Sequence, residues 1–248
     1  MPSDTSTEPS PLFAARMAGA LWLIVILASI VAILGGDSID LRGDPGTLAA
    51  KVLASASEIR FTFIFLFFGK ISYLGFTVLL YELLKPVNKS VALFGAFCGL
   101  AGLLSGAGAY FHLLTALSLI EEARRATEPV AGQLQGAAKV FLGTIPRFSG
   151  EDVWFGFQIL SVGYLIVRSY FIPRAIGVLL VIGGLSFLIT SFTNVVSPVL
   201  GARVAPVILP IAVLGEAALA LWLLVKGVNV ERLRSAKAGR STINPAAR

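Results

Sequence analysis

Six apolar runs follow one another along this chain, most of them long enough to cross a lipid bilayer, and they constrain everything else about it. A membrane span needs about 20 predominantly apolar residues. On that ruler the runs are Arg16–Gly35, Phe61–Leu84, Val91–Leu119, Val153–Val167, Ala175–Val196 and Pro206–Val225. The third is longer than a bilayer requires, which predicts tilt, a kink among its glycines, or projection beyond the membrane. The fourth is short unless it continues to Tyr170. Of the 248 residues 56% are hydrophobic and only 14% charged, whereas a soluble domain carries roughly 25% charged residues. No soluble core of this size hides so much apolar surface. The expected fold class is therefore all-α: an integral membrane bundle of six transmembrane helices.

The first run is too long for the core of a signal peptide, and no small-x-small cleavage site follows it, so it is expected to be retained as a helix. Residues 1–14, rich in Ser, Thr and Pro, are expected as a disordered cytoplasmic N-terminus. Residues 15–229 form the transmembrane domain, and 230–248 a disordered basic cytoplasmic tail.

Charge placement sets the expected orientation. Lys85, Lys89, Arg168, Arg174 and the tail residues Lys226, Arg232, Arg234, Lys237, Arg240 and Arg248 fall on the same side as Arg16. The other side carries Asp37, Asp40, Asp44, Glu58, Glu121, Glu122, Glu128, Glu151 and Asp152, diluted by some Lys and Arg. The positive-inside rule then places both termini in the cytoplasm, in a cell inner membrane. The net charge of +6 is thus read as membrane orientation and contact with anionic lipid headgroups, and no nucleic-acid partner is expected. The one cysteine, Cys98, lies inside an apolar run, where it offers neither a disulfide nor a metal site.

The two long loops on the acidic side have apolar positions at helical spacing, over Thr47–Ile59 and around Gln133–Leu142. Each reads as a connector or as a short amphipathic helix at the interface. There is also a faint parallel repeat: Tyr81, Lys85, Gly95 and Gly102 against Tyr164, Arg168, Gly177 and Gly184. The glycines Gly95, Gly99, Gly102 and Gly106 have small-xxx-small spacings that suit close helix packing.

Motifs for soluble-enzyme chemistry, for metal and for cofactors are absent from the sequence, and no cofactor is expected. The informative residues are ionisable groups within apolar runs, because a charge in hydrocarbon costs at least ~2.5–3.5 kcal/mol. Lys70 and Glu216 are two such groups of opposite sign. Counted from Arg60 and Pro206, each lies ten positions inward, roughly 15 Å at the helical rise. The sharpest reading is an ion pair between them. The alternatives are a Glu216 carboxyl protonated by desolvation and bonded to a hydroxyl, and a tilted helix that lets the Lys70 ammonium reach water. A second polar layer nearer the acidic side holds His112, Thr190, Ser191, Asn194 and Gln158, with Glu151 and Asp152 above. Lys70, His112, Glu151, Asp152, Gln158, Asn194 and Glu216 are the candidate ligand-binding residues, lining a pocket that opens outward.

Three stretches carry a resemblance: Gly163-Tyr-Leu-Ile-Val-Arg-Ser-Tyr-Phe-Ile-Pro-Arg-Ala-Ile-Gly-Val-Leu-Leu180, Leu83-Leu-Lys-Pro-Val-Asn88, and Gly215-Glu-Ala-Ala-Leu-Ala-Leu-Trp-Leu-Leu-Val-Lys-Gly227. Together they resemble the bacterial membrane proteins grouped as domain-of-unknown-function family 4386. The likeness runs from Ala15-Arg-Met-Ala-Gly19 to Asn229. It implies a six-helix inner-membrane protein and brings no established activity, substrate or catalytic residue. Gly215-Glu216 matches the last helix of the pattern; Lys70 departs from it, standing where an acidic residue is frequent.

Three functions suit these residues. The first is a protein that binds or transports a small molecule in a polar pocket between helices. The second is a membrane-embedded enzyme acting on a lipid or isoprenoid, with Glu151, Asp152, His112 and Glu216 as acid and base groups. The third is a non-catalytic accessory subunit recruited through the basic tail. Membrane lipids are the expected partners, with a small molecule or lipid as ligand; the sequence does not fix the oligomeric state.

Overall fold

In a computed structural model, described over residues 10–36, 44–144 and 150–243, the chain is helical with no strand among those residues. The helices are α1 (Pro11–Gly36), α2 (Pro45–Ala54), α3 (Ala56–Leu84), α4 (Lys89–Ala123), α5 (Val130–Thr144), α6 (Glu151–Ser169), α7 (Arg174–Val196), α8 (Pro198–Val225) and α9 (Val230–Ile243). Five of them, α1, α3, α4, α7 and α8, are long and apolar enough to cross a membrane. Their outer faces present large apolar side chains, such as Phe68 at 60% exposure, Leu104 at 72% and Val207 at 71%. Contiguous apolar surface on that scale belongs against lipid rather than water.

Turn chemistry explains the helix boundaries. Asn88 caps α4, accepting the Val91 N–H at 3.1 Å. Ser197 caps α8 with Pro198 in the first turn, a position where the missing proline N–H costs nothing. That start overturns the expected one at Pro206: Pro206 and Pro210 lie inside α8. Tyr170, at φ 57°, turns the chain between α6 and α7, and Gly227, at φ 69°, turns it after α8.

The long helices close into a ring in the order α1, α3, α4, α6, α7, α8, with α8 returning to α1 and α6 also touching α3. The centre is filled by aromatic rings. Trp22 of α1 stacks on Phe76 of α3 at 4.2 Å and on Phe155 of α6 at 5.7 Å, and Phe155 meets Phe187 of α7 edge-on at 4.8 Å. At one end α2 and α5 pack on the upper part of α4 through Leu48, Val52, Ala116, Ile120, Ala138 and Leu142. Both expected amphipathic stretches are thus helices, α2 being shorter than its stretch because α3 already begins at Ala56.

The start of α1 and helix α9 occupy the other end. The tail expected to be disordered is instead helical from Val230 to Ile243. Leu233 and Val228 join the main core beside Phe171 and Ile172, and the Asn229 N–H donates to the Phe171 carbonyl at 3.2 Å. Helix α1 likewise begins at Pro11, within the stretch expected to be disordered. Residues 1–9 and 244–248 lie outside the described residues.

Helix α6 sits between two glycine-lined neighbours. A Cβ on Gly95, Gly99, Gly102 or Gly106 of α4 would meet Ser161, Gln158, Trp154 and Glu151 of α6, in that order. On the opposite side, Gly163 and Gly177 face each other across α6 and α7, a Cβ on either lying 2.8 Å from the other's carbonyl oxygen. A Cβ on Gly184 would lie equally close to the Gly156 carbonyl oxygen, at 2.8 Å. Only residues without side chains permit backbones this near.

Candidate functional site

One face of α3 carries Lys70, Tyr73, Thr77 and Tyr81, at the spacing of a single helical stripe. Facing it on α6 are Glu151, Gln158 and Ser161, and the glycines of α4 floor the groove between them. The result is a polar seam along the α3–α4–α6 junction.

At its upper end Lys70 forms an ion pair with Glu151. Helical side chains lean toward their own N-terminus, so the Lys70 stem carries its ammonium up toward the first turn of α6. Glu151 lies in that turn, where the helix dipole favours a carboxylate. A Cβ on Gly106 would overlap that carboxylate, so the glycine makes its position possible. Both side chains are about three-quarters buried, at 22% and 26% exposure.

One turn deeper, the Tyr73 hydroxyl donates to the Gln158 Oε1, and the Gln158 Nε2 donates to the Thr77 hydroxyl at 3.2 Å. Tyr73, Thr77, Gln158 and Ser161 are all buried. Below them lies a cavity of about 10 Å³, lined by Thr77, Tyr81, Gln158 and Ser161 among leucines and small residues. That volume suits a single water and is far below the ~300–1,000 Å³ of an ordinary ligand pocket.

The structure overturns the expected Lys70–Glu216 pair. Lys70 bonds Glu151, and α3 and α8 are separated in the ring by α1. The depths also differ: Lys70 lies fourteen residues before the end of α3 at Leu84, and Glu216 nine before the end of α8 at Val225. At about 1.5 Å per residue these are roughly 21 Å and 14 Å from the same end. The error came from counting inward from Pro206.

Glu216 instead stands between α1 and α7. Its neighbour Gly215 abuts Leu179 of α7, and Ala220 abuts Gly19 of α1. It is buried, and its Oε1 has no hydrogen-bond partner among the described residues, as is true of Trp22 Nε1, Thr190 Oγ1 and Ser191 Oγ.

The remaining candidates do not converge. His112 packs edge-on against Phe141 of α5 at 5.6 Å, Asp152 is exposed, and the exposed Asn194 abuts Gly201 in the α7–α8 hairpin. Of seven candidate residues the seam gathers Lys70, Glu151 and Gln158. Sequence reasoning read Gly99 as a packing glycine, which it is, and missed Tyr73 and Thr77. The positions i+3 and i+7 from Lys70 would have found both, because they continue its stripe down an otherwise apolar helix.

The family model described as Domain of unknown function (DUF4386) matches residues 17–227, so the chain belongs to that family. No curated protein and no solved structure matches it.

Proposed function

We propose that this member of the DUF4386 family is a six-span protein of the bacterial inner membrane, with both termini cytoplasmic, that binds and passes a small polar solute along the α3–α4–α6 seam. The sixth span in this reading is α6. Its 19 residues extend about 28 Å at the helical rise, close to the ~30 Å of a hydrocarbon core. Its charged residues Glu151, Asp152 and Arg168 lie in its end turns. Protein on three sides relieves it of the apolarity that a lipid-facing helix needs. The orientation is supported by Arg16, Lys85, Lys89, Arg168, Arg174, Lys226, Arg232 and Arg234 clustering at the end that holds the termini.

The observation that carries the functional reading is the alignment of a partly buried ion pair, an amide clasped by two hydroxyls and a water-sized cavity edged by Thr77, Tyr81, Gln158 and Ser161 on a single seam. Intramembrane polar groups are expensive, and where they line one inter-helix path they mark solute pathways. The conformation is closed: Gln158 spans the seam and the cavity beneath it holds one water at most.

Thermal unfolding in nanodiscs against amino acids, amines, sugars and carboxylates, paired with proteoliposome uptake, tests the reading. The expected result is stabilisation and uptake by one of these classes, both lost in Lys70→Met and Gln158→Leu. A panel with no response, or a response that survives both substitutions, would sink it.

A further inference from the structure

The tight turn between α6 and α7 is held by two guanidinium groups, with a third on the last turn of α6 before it. Arg174 lies over the Tyr170 ring at 4.6 Å, and Arg232 of α9 donates through Nη1 to the Tyr170 carbonyl oxygen at 2.8 Å. Two residues before the turn, Arg168 lies over the Tyr164 ring at 5.7 Å. Among the described residues none of the three arginines forms an ion pair. The nearest acid in sequence is Glu231, which is exposed on α9.

The corner is held in shape. Tyr170 adopts a left-handed backbone at φ 57°, a conformation uncommon outside glycine and maintained only where its surroundings enforce it. Those surroundings are the Arg232 bond, the Asn229–Phe171 bond at 3.2 Å, and the burial of Phe171 and Ile172 against Val228 and Leu233. Tyr170 is left 61% exposed.

From this geometry we infer that the α6–α7 corner, with α9, is a binding site for a phosphate anion, and that its occupant is the headgroup of an anionic phospholipid. The position selects the source. The corner lies where α6 ends and α7 begins, beside exposed tyrosines of the kind that settle at headgroup level. Arg232 has four N–H donors beyond the one given to Tyr170, and Arg174 has five, in the planar fork that suits phosphate oxygens. The headgroup's negative charge meets guanidiniums that the protein leaves unneutralised. Its acyl chains continue along the apolar outer face of α7, where Val178, Ile182 and Leu185 are exposed.

The experiment uses the full chain in nanodiscs of phosphatidylcholine alone and with phosphatidylglycerol added. Phosphatidylglycerol should raise the unfolding temperature of the wild type by a few degrees and remain bound in native mass spectrometry. Arg174→Gln, which gives up only a ring contact, should lose most of that increment while unfolding normally in phosphatidylcholine. Adding Arg232→Gln should remove the rest. Lys89→Gln, an equal charge loss at the same end, should retain the increment. An absent increment, or the same loss in Lys89→Gln as in Arg174→Gln, overturns the site in favour of diffuse attraction. An equal stabilisation by millimolar inorganic phosphate in phosphatidylcholine discs overturns the lipid and leaves a soluble phosphate as ligand.

Discussion

Lys70 and Glu151 stand 81 positions apart in the chain, yet their side chains close an ion pair between α3 and α6. The pair is neither buried enough to count as an interior charge pair nor exposed enough to be screened away. Breaking a fully buried pair typically costs ~3–5 kcal/mol and an exposed one under about 1 kcal/mol. Lys70→Met and Glu151→Gln should each fall between, at about 1–3 kcal/mol by thermal unfolding in nanodiscs. Lys70→Met with Glu151→Leu should recover much of the loss. In the matching cycle between Lys70 and Glu216 the losses should add, because Lys70 is engaged by Glu151 and α1 stands between α3 and α8 in the ring; coupling there would contradict the ring order.

Gln158→Leu keeps the side-chain bulk and removes the clasp. It leaves the Tyr73 hydroxyl and the Thr77 hydroxyl without the partners they have across the seam. An abandoned buried polar group costs about 1–3 kcal/mol, so the variant should be clearly destabilised. Pairing it with Tyr73→Phe should cost less than the sum of the two single changes. Strict additivity would mean that the hydroxyl does not depend on Gln158.

At the α6–α7 interface Gly163→Ala and Gly177→Ala should each destabilise by about 1–3 kcal/mol, the usual cost of overpacking, since each new Cβ meets a backbone carbonyl at 2.8 Å. Gly136→Ala on α5, where the added Cβ meets nothing within 4 Å, should be neutral or slightly stabilising. Equal effects at the two kinds of site, read by thermal unfolding, would show that the close approach is absent in the bilayer.

Asp44 caps α2, accepting hydrogen bonds from the Thr47 hydroxyl and N–H. The hydroxyl bond first, then the N–H, holds its carboxyl below the usual 3.8. A depressed carboxyl contributes stability above its unfolded value and loses it as pH falls through the folded one. Hydrogen exchange of the α2 amides should therefore be faster in Asp44→Ala than in the wild type at neutral pH. The difference should close as pH drops below about 3.8. A gap unchanged at pH 3 would remove the cap from the account.

A reporter fused after Arg248 should read cytoplasmic, and one placed between Glu121 and Asp152 should read external. Opposite labels would reverse the inside and outside assigned to the bundle, while leaving its helix packing untouched.

Much of the helix inventory was legible because apolar runs of membrane length have few alternatives, and the two amphipathic stretches kept their period. The boundary at Pro206 misled because a proline reads as a helix start, although Ser197-Pro198, which joins a serine cap to a first-turn proline, is the fuller signal. The helix after Val230 was hidden for another reason. Its composition is polar and basic, and its order comes from Leu233 and Asn229 docking on the α6–α7 corner, a contact between distant parts of the chain. The site was half legible. Depth along a helix can be counted in sequence, so Lys70 was found, but its partner depends on which helices are neighbours. Ring order places α6 beside α3 and puts α1 between α3 and α8, and no residue spacing states that order.

Helix α6 meets bare backbone along much of two opposite flanks, glycines of α4 on one and of α7 on the other. Helices normally interlock as ridges in grooves, and one must lift out of the other before it can travel. Here the glycines are the notches and side chains of the facing helix are the keys: Leu160 seats over Gly184, Leu188 over Gly156 and Val167 over Gly177, while Gln158 and Glu151 seat over Gly99 and Gly106. Each key sits at one axial level, so α6 resists sliding as well as separation on both flanks. Spin-label distances between α4 and α6 should therefore be the same with and without solute. Helix α6 is a keyed spine, and any opening of the seam falls to α3, which meets it far more sparsely.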